Sequence, residues 1–198
     1  FISSLNKAYE LAIPNLTELF PAGRTAVVFD SSGSMSTPIT LVGNRGKRGS
    51  EAAIAKAALI AATLAKGIGA DVYHFADRCS QIKFNPLDSV NTLKNQFLGN
   101  QGRVGFGTEF NSIFRELGKN YDRVFVISDM QGASYLERAG YKNMHIYSID
   151  ICGYGTTMFK PGNNVYSLFG YSADIYELVK KVEIDPKALI KAIEEIEI

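Results

Sequence analysis

The sequence predicts an α/β domain in which a mainly parallel sheet, with one antiparallel edge strand, lies between helices on both faces: a three-layer, Rossmann-like arrangement. Three observations predict it. Short apolar, β-branched runs alternate with helical patterns along the chain, without internal repeats. Two of these runs, TAVVF at 25–29 and RVFVIS at 123–128, are continuous rather than alternating, as in strands covered on both faces. A carboxylate follows each of them, Asp30 and Asp129, at the edge where open α/β sheets hold ligands.

The elements follow in order. Apolar positions at Leu5, Ala8, Tyr9 and Ala12 have helical spacing, which Pro14 ends. After the 25–29 strand a long loop reaches about Gly49. Ser50, followed by Glu51, then reads as the cap of a helix ending near Lys66, with Gly67 and Gly69 to stop it. That helix carries eight alanines and few large side chains, which suits close packing on a sheet. ADVYHFA and SQIKFN are two strand-like runs separated by DRC, so the second reads as an antiparallel edge strand. Asp88 or Ser89 caps a short helix at 90–97. A Gly-rich loop then leads to a helix at 109–117. MHIYSIDI is a further strand, and VYSLF a short run after it. Helices at 173–181 and 186–195 close the chain, the second with Asp185 as cap and Pro186 at its first position.

The 198 residues, 46% of them hydrophobic, are enough for one well-packed domain. Residues 1–22 read as a lead-in helix and link, and 183–198 as a C-terminal helix. The chain begins with Phe1 rather than Met, as a piece of a longer polypeptide would. No apolar run has the length to span a bilayer, and no basic-then-apolar leader opens the sequence. The 21 Lys and Arg against 20 Asp and Glu give no overall field toward nucleic acid, so any RNA contact must come from a local patch or another segment. Cys79 and Cys152, far apart, fit two reduced, buried thiols and a cytoplasmic setting.

The chemistry concentrates in FDSSGSMS at 29–36. Asp30, Ser32 and Ser34 occupy alternate positions and can point the same way, while Gly33 lets the backbone bend. They offer one charged oxygen and two neutral ones. Mg²⁺ takes about six oxygens at about 2.1 Å and keeps some waters, so a charge-poor set suits it. Thr108, at the end of GFGT, can complete the shell or simply cap the following helix.

Asp30-Ser31-Ser32-Gly33-Ser34 resembles the D-x-S-x-S element of von Willebrand factor A domains. Thr108 matches that family's separate threonine, and Asp129 its later aspartate. The resemblance implies a metal-ion-dependent adhesion site made of Asp30, Ser32, Ser34, Thr108 and Asp129. In it the serine hydroxyls, and in some states the threonine, touch Mg²⁺, the aspartates act largely through water, and an acidic group of a protein or peptide partner completes the sphere. Mn²⁺ and Ca²⁺ are not separated from Mg²⁺ by oxygen ligands alone. Ser31 and Ser36 read as spacers. The flanks LNKAYELAIPNL and GYGTTMF…GNNVYSLFGYSADIYELV are similar to the C-terminal A domain of Ro (TROVE) ribonucleoprotein autoantigens. That implies an upstream helical-repeat module holding noncoding RNA. One departure is Phe106, where the family usually has a second Gly before the threonine.

Other readings are weaker. His74 and His145 both fall inside strand-like runs and no G-x-S-x-G elbow exists, which disfavours serine acyl transfer. An aspartyl-phosphate phosphotransferase wants a second carboxylate two residues after its first, where Ser32 stands. GNRGKRGS fails the Walker pattern, because the second glycine falls on Arg48. Arg45, Lys47 and Arg48 are left on a charged loop near the metal motif, and Thr156, Thr157 and Lys160 on a loop at the same sheet edge. The expected function is therefore non-enzymatic, metal-dependent binding beside an RNA-binding module, with a stand-alone protein-interaction domain as the alternative.

Overall fold

A computed structural model describes residues 11, 13–41, 49–118, 120–132, 136, 141, 144–170, 172, 174–185 and 187–188. In chain order these form α1 (Pro14–Leu19), β1 (Thr25–Asp30), a 3₁₀ turn (Ser34–Ser36), β2 (Pro38–Leu41) and β3 (Gly49–Ala52). There follow α2 (Ala53–Ile68), β4 (Asp71–Phe75), β5 (Cys79–Ile82), α3 (Val90–Leu98), α4 (Asn111–Leu117), β6 (Arg123–Ser128), β7 (His145–Asp150), β8 (Val165–Phe169) and α5 (Asp174–Ile184).

Six strands make one sheet in the order β5-β4-β1-β6-β7-β8. Every pairing is parallel except β4 with β5, so β5 is the antiparallel edge strand that the short DRC gap predicts. The alternation of side chains across β1 builds the two outer layers. Val27 and Phe29 face a core completed by α1, α2, α3 and α5. Ala26 and Val28 face a second core with Phe110, Ile113, Leu117, Tyr141 and Phe159. Every residue of β1 and β6 is buried, which explains why both read as continuous apolar runs.

α2 lies against β1, and Ala53, Ala57, Ala58, Ala61 and Ala62 are fully buried, so its small side chains do bring it close to the sheet. Gly69, left-handed at φ 65°, ends it. Gly67 lies inside the helix rather than ending it, and its missing side chain makes room for α1, since a methyl there would lie 2.7 Å from Leu16 Cδ1. The start differs from the sequence reading. Residue 50 is not the cap: Gly49–Ala52 pair antiparallel with Pro38–Leu41, and the cap position falls on Ala52 without a side-chain bond. A four-residue strand is too short to show its period, and ladder bonds to β2 hold it extended before the helix begins. Ser89 caps α3 by accepting the Thr92 N–H at 3.2 Å.

Most of the expected helix at 5–12 and of that at 186–195 lies outside the described residues, as do Arg45, Lys47 and Arg48. No helix among the described residues is long and apolar enough to cross a membrane.

Candidate metal centre

From β1 the chain crosses through α2 to β4 on one side, and later returns to β6 on the other. The order therefore switches between β1 and β6, and a crevice opens at the carboxyl ends of such a pair. Asp30 ends β1 and Asp129 follows β6, one on each side of that switch.

Asp30 is fully buried. Its Oδ1 accepts the Ser32 N–H at 2.8 Å, which folds the chain back over the strand end, and its Oδ2 accepts the Ser128 hydroxyl at 2.6 Å. The fold of this turn brings the Ser32 and Ser34 hydroxyl oxygens within 3.1 Å of each other. Burial, helped by the neighbouring Asp129 charge and opposed by the bonds from Ser128 and Ser32, pushes the Asp30 carboxyl up to about 6. Asp129 is 2% exposed and accepts the Gln131 N–H at 3.2 Å. Met130 turns the chain with φ 55°, a left-handed conformation that costs a non-glycine residue roughly 1–2 kcal/mol. Its N–H reaches the Ser128 hydroxyl at 2.9 Å.

The third segment is joined by its backbone. Gly33 N–H donates to the Phe106 carbonyl at 2.9 Å, which ties the segment that carries Thr108 to the serine turn. α4 begins at Asn111, and its cap position is Phe110 with no side-chain bond. Thr108 is therefore not the helix cap, and its half-buried hydroxyl is not spent on that role. Phe106, where the family usually has glycine, is 67% exposed, and it joins the turn and Asp77 through its backbone carbonyl and N–H.

Three residues missed in the sequence support this arrangement. Asp77, read as part of a turn, accepts the N–H groups of Phe106 and Gly107, both at 3.1 Å. A Cβ at Gly105 would sit 1.8 Å from its Oδ2, and one at Gly107 2.2 Å from its Oδ1, so the two glycines make room for the clamp. Ser128 holds Asp30 in place, as above. Ser31 is no spacer: fully buried, its hydroxyl donates to the Phe75 carbonyl at 3.1 Å and lies 3.2 Å from His74 Nδ1. Only the position of Ser128, directly before Asp129, was a signal in sequence. Ser36, the other expected spacer, accepts from Gln101 Nε2 at 2.8 Å.

The donor set fits a hard cation. Two buried carboxylates stand near each other, burial first and the Asp129 charge second raise Asp30 above its usual range, and the paired serine oxygens are neutral. Among the described residues no group of three His, Cys, Asp or Glu gathers, so hydroxyls would have to supply part of any shell. His74 is the satisfied sheet residue its flanks predict, at 3% exposure. Cys79 is buried and Cys152 partly so. Burial pushes their thiols up to about 12 and about 11, far from reactive thiolates. Lys160 and Thr156 are exposed on the loop after β7, which Asp150 organises by accepting the N–H groups of Cys152, Gly153 and Gly155. Thr157 turns toward Ser167 and the Phe159 backbone rather than toward the metal turn.

Among solved structures, the Ro (RSR) protein of Deinococcus radiodurans aligns with 90% of this chain at a TM-score of 0.64 and 13% identity. The fold matches part of a Ro protein. At that identity the likeness is one of fold, and this chain spans only 37% of the Deinococcus chain. An uncharacterized membrane-spanning protein from Vibrio fischeri aligns over 64% of this chain and 69% of its own at 17% identity, with a TM-score of 0.31 that carries no argument. No family model and no curated protein matches the sequence.

Proposed function

We propose that this chain is a non-enzymatic binding domain of the von Willebrand A type, holding Mg²⁺ at Asp30, Ser32, Ser34, Thr108 and Asp129. The observation that carries the reading is the convergence, at the β1/β6 switch, of a buried carboxylate with two serine hydroxyls 3.1 Å apart. When bound, the cation supplies an open coordination position for a carboxylate of a protein or peptide partner. The protein's own part is positioning. Ser128 and the Ser32 N–H fix the Asp30 carboxylate, Ser31 anchors the turn to β4, and Asp77 holds the Thr108 segment in place. Because two hydroxyls and a threonine leave little negative charge on the ion, it keeps its affinity for an acidic ligand. The same lack of charge, with Ser32 where a phosphotransferase needs a carboxylate, argues against the enzyme reading.

The likeness to a Ro fold, with the flanking motifs, favours a setting in which this domain accompanies a noncoding-RNA-binding module in one cytoplasmic polypeptide. A stand-alone interaction module is the alternative. Calorimetric titration of Mg²⁺ into the wild type and into Asp30→Ala and Ser32→Ala variants tests the metal. Partner pull-down and RNA co-purification with Asp30→Ala test its use. Saturable Mg²⁺ binding lost in both variants, together with a lost protein partner, is expected. Undiminished binding in both variants sinks the proposed shell, and lost stability with both associations intact makes the metal structural.

A further inference from the structure

A second site, which shares no residue with the proposed metal shell, has the character of an anion cleft. Between the edge strand β5 and the end of α3 lies a polar cleft of about 480 Å³, lined by Gln81, Ile82, Lys83, Gln96, Gly99, Asn100 and Arg103. Its lining contains two cations and no carboxylate. Lys83 and Arg103 are both exposed, and neither forms an ion pair among the described residues.

The walls are held in place by hydrogen bonds that leave the two cationic heads uncommitted. Gln96 Nε2 donates to the Lys83 carbonyl at 3.0 Å, and Asn100 Nδ2 to the Gln96 carbonyl at 2.8 Å. Arg103 N–H donates to the Asn100 carbonyl at 3.1 Å, while the Arg103 carbonyl accepts from Arg78 Nη2 at 2.8 Å. The next residue, Val104, accepts from the N–H groups of both Asp77 and Arg78. Backbone on either side of the Arg103 guanidinium is therefore pinned, so little chain entropy is lost when it binds. Guanidinium and ammonium together recognise phosphate oxygens, the first as a planar fork and the second as a point charge. The chain as a whole is nearly neutral, at a formal net charge of +1, so a local patch of this kind is where a polyanion would be met.

We infer that the β5–α3 cleft is a phosphate-binding site, with Lys83 and Arg103 as its ligands and the amide side chains of Gln81 and Asn100 on its rim. The phosphate comes either from a single-stranded polynucleotide backbone or from a small phosphate compound. Fluorescence anisotropy with a labelled oligouridylate over a salt series, with and without competing inorganic phosphate, separates the two. In Lys83→Glu/Arg103→Glu, oligonucleotide affinity should fall about tenfold or more, and the logarithmic salt slope should shrink by about 1.4, or about 0.7 per lost phosphate contact. Competition by millimolar phosphate, lost in the same variant, assigns the site to small phosphates; no competition assigns it to the polynucleotide. Asp30→Ala should bind both probes as wild type does, since the cleft uses none of the metal residues. Failure of the wild type to bind either probe, or unchanged binding in the double variant, overturns the inference. Should the charge reversal melt early, Lys83→Gln and Arg103→Gln singly give the same reading at smaller amplitude.

Discussion

Asp30 carries a charge where a charge is costly. Its carboxyl titrates near 3.8 when unfolded and near 6 when folded, so between those values the folded state holds more protons. Ion-free stability from this group therefore falls as pH rises through that window and stays low above it. Asp30→Asn keeps the shape without the charge. In chelator its unfolding free energy should exceed that of the wild type by a margin that grows from pH 4 to 6 and then levels, on the order of 2–3 kcal/mol, with Tm rising in step. Added Mg²⁺ should close the gap for the wild type only, and a gap independent of pH would rule out the buried charge as its cause. His74 has the opposite sign. Burial, then the Arg103 charge, lowers its folded value to about 4, so the unfolded chain binds more protons between 4 and 6.5. Stability is lost as pH falls through that range, and His74→Gln should flatten that part of the acid limb in a melting series.

At the scale of elements, the deciding feature is how the 99–107 loop is held. Asp77 clamps it toward the metal turn and Arg78 toward the anion cleft. Asp77→Ala removes two N–H partners, and Gly105→Ala drives a methyl into the clamp. Each should cost about 1–2 kcal/mol of stability, as lost hydrogen bonds do, while lowering Mg²⁺ affinity about tenfold in calorimetry. Mg²⁺ binding unchanged in both would detach Thr108 from the site. Elements with a clear period were legible in sequence. β1, β6 and α2 were, because burial on both faces or one stripe leaves a pattern in residue type. The β2–β3 pair was not, since four residues are too few to show a period and Ser50–Glu51 imitates a helix start. The candidate shell was legible because Asp30, Ser32 and Ser34 are local to one turn. Asp77 was not, because its value lies in backbone groups about 30 residues away, and Ser31 looked like filler beside them.

At the scale of the whole molecule, a buried ion pair among the described residues ties sheet to helix at the end of the sheet opposite the candidate metal site. Arg123, at 2% exposure, donates from Nε and Nη2 to both oxygens of Glu183 on α5, at 2.8 and 2.6 Å. Its other contacts reach the Thr25 hydroxyl and the Pro21 carbonyl, so it also fixes the chain entering β1, and Tyr147 adds a bond to Glu183. Arg123→Met strands a carboxylate that is 8% exposed and should cost about 3–5 kcal/mol in chemical denaturation. Adding Glu183→Leu should restore much of that. Equal loss in the single and double variants would mean that the pair's charge is not what matters.

The sequence by itself determined the layers and the motif. Hydrophobic period and turn chemistry are one-body properties of each position, and D-x-S-x-S is a local pattern. Only the tertiary structure decided that Asp30 and Asp129 flank one switch point, that Ser128 and Asp77 hold the site, and that Lys83 meets Arg103 across a cleft. These are pairings between distant positions. Which distant positions meet depends on strand order and crossover direction, and no single position's residue type records either.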